Sequence, residues 1–171
     1  RFGRRASRAT LPLAMIWMAC VVLTWGCQRT ARPDATIDAL LAQSEKGDEV
    51  RLPTFVQPSH YTLRLAIDPA RPAFSGQVEI TVDVLQKTSV VLLHAQQLDI
   101  EEAILSPEKG SGSALEVTRT KRGLLKLVAK KPLERGKTYT ISMRYRGVMD
   151  EEPSGLYRTR DREDWYAVTQ L

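Results

Sequence analysis

The sequence predicts an all-β domain, an antiparallel sandwich or saddle of about seven to nine short strands, preceded by an apolar signal or anchor helix and a polar tether. Three observations carry this reading. Apolar and polar residues alternate with a period of two, most plainly at Val78, Ile80, Val82 and Val84 against Gln77, Glu79, Thr81 and Asp83. Turn-forming residues separate such runs at regular intervals. No segment beyond Leu52 sustains a helical period.

The leader comes first. Arg1, Arg4, Arg5 and Arg8 precede an apolar run over residues 11–27, the arrangement of a secretory signal. Gly26-Cys27 fits a lipoprotein signal in which Cys27 becomes the lipidated first residue, although Thr24 stands where an aliphatic residue is usual and Trp25 is large for its place. An uncleaved anchor or ordinary cleavage nearby are the alternatives, and a spanning helix prefers about 20 apolar residues. Residues 28–51 are polar and mixed. They read as a solvated tether between a membrane and the domain, with Ile37, Leu40 and Leu41 supporting at most a turn or two of helix capped by Asp34 or Thr36. The resulting division is a signal peptide at 1–27, a tether at 28–51 and a β domain at 52–171.

Pro53 and Pro58 bracket an extended approach to the first strand, where Tyr61, Leu63, Leu65 and Ile67 alternate with polar or small residues. Asp68-Pro69 and Arg71-Pro72 mark a turn, and a strand over 74–85 returns antiparallel. Residues 89–93 are a continuous apolar run, expected of a strand covered on both faces, and His94 closes it as a packed, hydrogen-bonded histidine. Leu98 and Ile100 resume the alternation, continued by Ala103, Ile104 and Leu105 up to Ser106-Pro107. Leu115 and Val117 form a short strand, Lys121-Arg122-Gly123 a hairpin turn, and Leu125, Leu127 and Ala129 the returning strand. After a turn between Pro132 and Gly136, Tyr139, Ile141, Met143 and Tyr145 alternate until Gly147 stops the strand. The chain begins at Arg1 and stops at Leu171 within what reads as a strand, as expected of part of a longer product.

With 43% hydrophobic and 26% charged residues, a chain of 171 residues can bury a core. Its formal charge of +5 points weakly to acidic partners. Without the four leader arginines, 21 bases face 20 acids, and no basic stripe remains on the domain for a nucleic acid. Both cysteines, Cys20 and Cys27, lie in the leader, which removes disulfides, thiolate zinc clusters and cysteine nucleophiles from the domain. His60 and His94 are the only histidines and H-E-x-x-H does not occur, so a zinc site with three protein ligands cannot be assembled from this inventory. Ser154 lacks the flanking pattern of a nucleophile elbow. Glu101-Glu102 and Asp150-Glu151-Glu152 flank turns and read as solvated edges. Taken alone, the residues describe a scaffold or binding domain, with no catalytic residue and no metal ligand.

Four segments resemble the opening domain of zinc aminopeptidases of the aminopeptidase N type. They are Phe74-x-Gly76-x-Val78-x-Ile80 with the aliphatic run ending Leu92-Leu93-His94-Ala95, Gly136-x-x-Tyr139-x-Ile141 leading to Tyr145-x-Gly147, Ser154-Gly155-Leu156-Tyr157-Arg158, and Ala167-Val168-Thr169-Gln170-Leu171. The resemblance implies a β saddle packed against a catalytic domain of the same polypeptide that carries H-E-x-x-H, the zinc and the peptide-cleaving chemistry. It implies that Gln170 lies at the substrate cleft, with strand pairing beside the cleft as its plainer role. The expected whole is an exported bacterial envelope enzyme, membrane-bound through its signal or a lipid on Cys27, of which this chain is an inactive part. The rival reading is a non-catalytic β-sandwich lipoprotein that serves as a binding or interaction module.

Overall fold

A computed structural model describes residues 33–46, 51–120, 123–153 and 155–170. The apolar leader with Cys27, the Lys121-Arg122 turn and Ser154 lie outside the described residues, as does the expected signal or anchor helix. All described residues belong to one compact unit, Ala31–Leu171. They form one helix, α1 (Pro33–Lys46), and ten strands: β1 (Val56–Ala66), β2 (Ala73–Val84), β3 (Thr88–His94), β4 (Leu98–Pro107), β5 (Ser113–Ala114), β6 (Glu116–Arg119), β7 (Leu124–Leu133), β8 (Thr138–Val148), β9 (Gly155–Asp161) and β10 (Asp164–Gln170). The all-β, antiparallel expectation holds. The strand count is slightly higher than expected because β5 and β6 split around Leu115, which turns its side chain into the core at 7% exposure.

Three antiparallel sheets result: a five-stranded one ordered β1-β2-β8-β4-β5, a three-stranded one ordered β3-β7-β6, and the β9–β10 hairpin. The first two face one another. Register puts Ile80 opposite Ile141 and Ile141 opposite Leu105, so these residues form one row across the large sheet. Their side chains meet Val91 of β3 and Leu127, Ala129 and Leu133 of β7 in the main core. A fully buried Leu or Ile here contributes roughly 1.5–3 kcal/mol. β3 is covered on both faces, as its unbroken apolar run predicts. Val91 enters the main core, while Leu92 packs with Leu124 and Ile37 in a second cluster beneath α1.

Within the stretch read as a solvated tether, the described residues 33–46 are packed on that second cluster rather than solvated throughout. α1 is 14 residues long, and its Ile37 is 1% exposed against the outer face of the small sheet. Lys126 of β7 adds an ion pair to Asp38 at 3.7 Å. Three apolar residues suffice because they need only cover the stripe left by Val90, Leu92 and Leu124. His94, next along that stripe, is exposed rather than packed.

Gly147 does not stop β8. It lies inside the strand, paired with Phe74, while Gly76 of β2 is paired with Tyr145. Each aromatic ring lies across the glycine of the facing strand. A Cβ on Gly76 would stand 2.6 Å from Tyr145 Oη, and one on Gly147 would stand 2.5 Å from Phe74 Cε1. The two rings meet edge to face, with centroids 6.5 Å apart and planes at 87°. Phe74-x-Gly76 and Tyr145-x-Gly147 are therefore two halves of one clasp.

The large sheet extends past the small one. On its core-facing side, register continues the Ile80 row outward to Tyr61 and the Val78 row to Leu63. Tyr61, Leu63 and Leu65 nevertheless remain 54%, 55% and 40% exposed, because the three-stranded sheet does not reach them.

Candidate functional site

The segment that the sequence places nearest a cleft forms the β9–β10 hairpin. Asp161 and Asp164 close it, with Arg162 between them in the left-handed region at φ 56°. Trp165 pairs with Arg160, Ala167 with Arg158, Thr169 with Leu156 and Gln170 with Gly155. Alternation then puts Trp165, Ala167 and Thr169 on one face, with Leu156, Arg158 and Arg160. Tyr166, Val168 and Gln170 share the opposite face with Tyr157 and Thr159. Gln170 is exposed and stands at the open end of the ladder, beside Gly155 at φ +63°.

Arg158 joins the hairpin to the loop that follows β8. Its backbone N–H donates to the Asp150 carbonyl at 2.8 Å, within a single parallel bridge between Asp150 and Tyr157. Its Nη2 donates to Glu151 Oε1 at 2.5 Å, and its guanidinium carbon lies 4.1 Å from the centre of the Trp165 ring. Arg160 approaches the same ring at 5.6 Å. Two cations on one indole give an attraction of about 0.5–2 kcal/mol each, depending on desolvation. Beside this joint lies an open cavity of about 570 Å³, bordered by Pro72, Gln97, Val148, Asp150, Glu151 and Arg158.

The acidic pairs have definite partners. Glu101 and Glu102 sit at a bulge within β4 and pair with Arg146 at 2.5 Å and Arg144 at 2.9 Å, so they brace the large sheet rather than flank a turn. Asp150 Oδ1 accepts from the Glu151 and Glu152 backbone N–H groups at 2.7 and 3.4 Å, shaping the loop before the hairpin. Burial raises the Tyr145 phenol above its ordinary value of 10.0. His60 lies exposed on β1 and His94 on β3. Among the described residues no three His, Cys, Asp or Glu side chains gather as metal ligands, so their donors do not fit a zinc site.

Thus Gln170 and the G-L-Y-R segment fall on one hairpin, while the histidines and acidic pairs do not join them. Sequence reasoning missed the Arg158–Trp165 stack. The available signal was Tyr-Arg-Thr-Arg preceding a tryptophan across a tight turn, which places two cations at cross-strand positions on an aromatic neighbour.

The sequence matches the family described as Peptidase M1 N-terminal domain over residues 57–171. It is 30% identical over 121 residues to human Endoplasmic reticulum aminopeptidase 1, covering 67% of this chain and 13% of that protein. It is 30% identical over 120 residues to Aminopeptidase M1-D of Oryza sativa subsp. japonica, covering 70% and 13%. To bovine Aminopeptidase N it is 31% identical over 140 residues, covering 74% and 14%. The chain thus spans roughly an eighth to a seventh of the relatives it matches. Its clasped antiparallel sheets, its four ordered motifs and these matches make this chain a member of the Peptidase M1 N-terminal domain family, the opening domain of aminopeptidases of the aminopeptidase N type.

Proposed function

We propose that this chain is the non-catalytic opening part of an exported zinc aminopeptidase, where it walls the active-site cleft and helps place the amino end of a peptide. The family match over residues 57–171 carries the reading. Two features support it. The hairpin stands apart from the two packed sheets and presents Gln170 at its open end. Tyr61, Leu63 and Leu65 leave an exposed apolar stripe along β1 that a neighbouring domain could cover.

In this account residues 1–27 direct export and Cys27 carries a lipid at the cell envelope of a bacterium. Residues 28–51 lead to the domain, and the catalytic domain of the same polypeptide supplies the zinc. Among the described residues no helix is long and apolar enough to cross a membrane. The contribution of this chain is placement: fixing the amino end lets only the first peptide bond reach the reacting centre. The chain alone is expected to be inactive.

The test uses the full-length gene product and an aminoacyl p-nitroanilide. Gln170→Ala raises KM while kcat and melting temperature hold, because Gln170 is exposed and makes no core contact. Unchanged KM contradicts the cleft role. A full-length product without peptidase activity returns the chain to the reading as an interaction module.

A further inference from the structure

We propose that Arg158 is a positioning residue, setting the tilt of the β9–β10 hairpin against the large sheet and thereby where Gln170 stands. The proposal rests on the cleft reading of Gln170 given above.

A continuous line of contacts leads to Arg158. Met149 is 2% exposed, and its N–H donates to the Pro72 carbonyl at 2.7 Å, which ties the loop after β8 to the start of β2. Asp150 and Glu151, next in that loop, hold Arg158 through its backbone and its Nη2. Arg158 then lies on Trp165 of the other hairpin strand. One side chain on β9 therefore engages both the fixed loop and β10.

Only a guanidinium can do this. It is planar, so it stacks on the indole with one face while donating from its edge, whereas an ammonium is a point charge on a flexible stem. The arrangement carries a cost. Arg158 is 14% exposed, and its Nε is buried with no hydrogen-bond partner. Orphaned buried donors are rare and call for an explanation. A guanidinium placed for stacking, at the expense of a full set of hydrogen bonds, is that explanation.

The lever is long enough to matter. Five residue-to-residue steps along the strand lead from Trp165 to Gln170, roughly 17 Å at about 3.3 Å each. A tilt of about 5° at Trp165 moves Gln170 by roughly 1.5 Å, enough to break a hydrogen bond to the amino end of a bound peptide and so weaken its binding.

The experiment has two arms. The first uses the 171-residue chain carrying Trp17→Phe and Trp25→Phe, which leaves Trp165 as its one tryptophan. Arg158→Lys should red-shift Trp165 emission and raise its quenching by acrylamide, and Glu151→Gln should do the same to a smaller extent. The second arm assays the same substitutions in the full-length gene product with an aminoacyl p-nitroanilide. There KM should rise on the order of 10-fold while kcat and melting temperature change little. An unshifted Trp165 in Arg158→Lys overturns the clamp. A shifted Trp165 with unchanged KM, while Gln170→Ala does raise KM, overturns the positioning role and leaves the cleft reading intact. If neither Arg158→Lys nor Gln170→Ala raises KM, the cleft reading fails and takes this proposal with it.

Discussion

Gly147→Ala tests the clasp between β2 and β8. Its methyl would lie 2.5 Å from Phe74 Cε1 and 3.0 Å from Leu98 Cδ2, where carbon atoms prefer about 3.5–4.0 Å. Phe74 must swing off its seat, and overpacking of this kind costs about 1–3 kcal/mol. The stiffer unfolded chain returns about 0.4–1 kcal/mol, leaving a net loss of about 1–2 kcal/mol. In a Phe74→Leu background the ring is gone and the methyl has room, so the same substitution should be close to neutral. Urea unfolding followed by circular dichroism gives the four stabilities of the cycle, with a coupling of about 1–2 kcal/mol expected. An equal cost of Gly147→Ala in both backgrounds would refute the reasoning, since the ring would then not be what the methyl meets.

Other outcomes follow from the same structure. Ile37→Ala should cost about 2 kcal/mol, the low end for a buried aliphatic deletion because α1 lies on one face only, and should speed amide exchange in α1. The 171-residue chain should bind an apolar-surface dye, and Leu63→Ser with Leu65→Ser should remove much of that signal; a dye-silent wild-type chain counts against an uncovered face. Tyr145 is held above its ordinary pKa of 10.0 by burial, so its stabilising contribution is complete below that pH and is lost as pH climbs through the folded value. Tyr145→Phe should accordingly lose less stability than wild type between about pH 8 and about pH 11 by urea unfolding.

What the sequence revealed, and what it hid, follows from how far each signal depends on neighbours. The alternation at Val78, Ile80, Val82 and Val84 found β2 because both faces of that strand meet what the pattern implies. The same alternation at Tyr61, Leu63 and Leu65 found β1, yet these side chains stay exposed, outside the core that the two sheets share. Periodicity reports which residues share a face and says nothing of whether that face is covered. α1 was underestimated because its cohesion comes from the groove over Leu92 and Leu124, which is assembled from distant strands. Gly147 resembled a terminator because a glycine in a strand reads as a break. Only the register opposite Phe74 discloses its purpose. For the candidate site, motif resemblance alone put Gln170 forward, and its place at a cleft is a proposal; the resemblance did not point to the Arg158 stack, since its contacts arise from a diagonal pair and a loop.

The central claim, that this domain borders the cleft holding a peptide's amino end, is tested most directly by replacing Gln170 with a photo-crosslinking amino acid in the full-length gene product. Irradiation with a labelled peptide should yield a crosslink that is abolished by excess peptide with a free amino terminus and spared by its N-acetylated form. No crosslink at position 170, or equal competition by both peptides, would contradict the account.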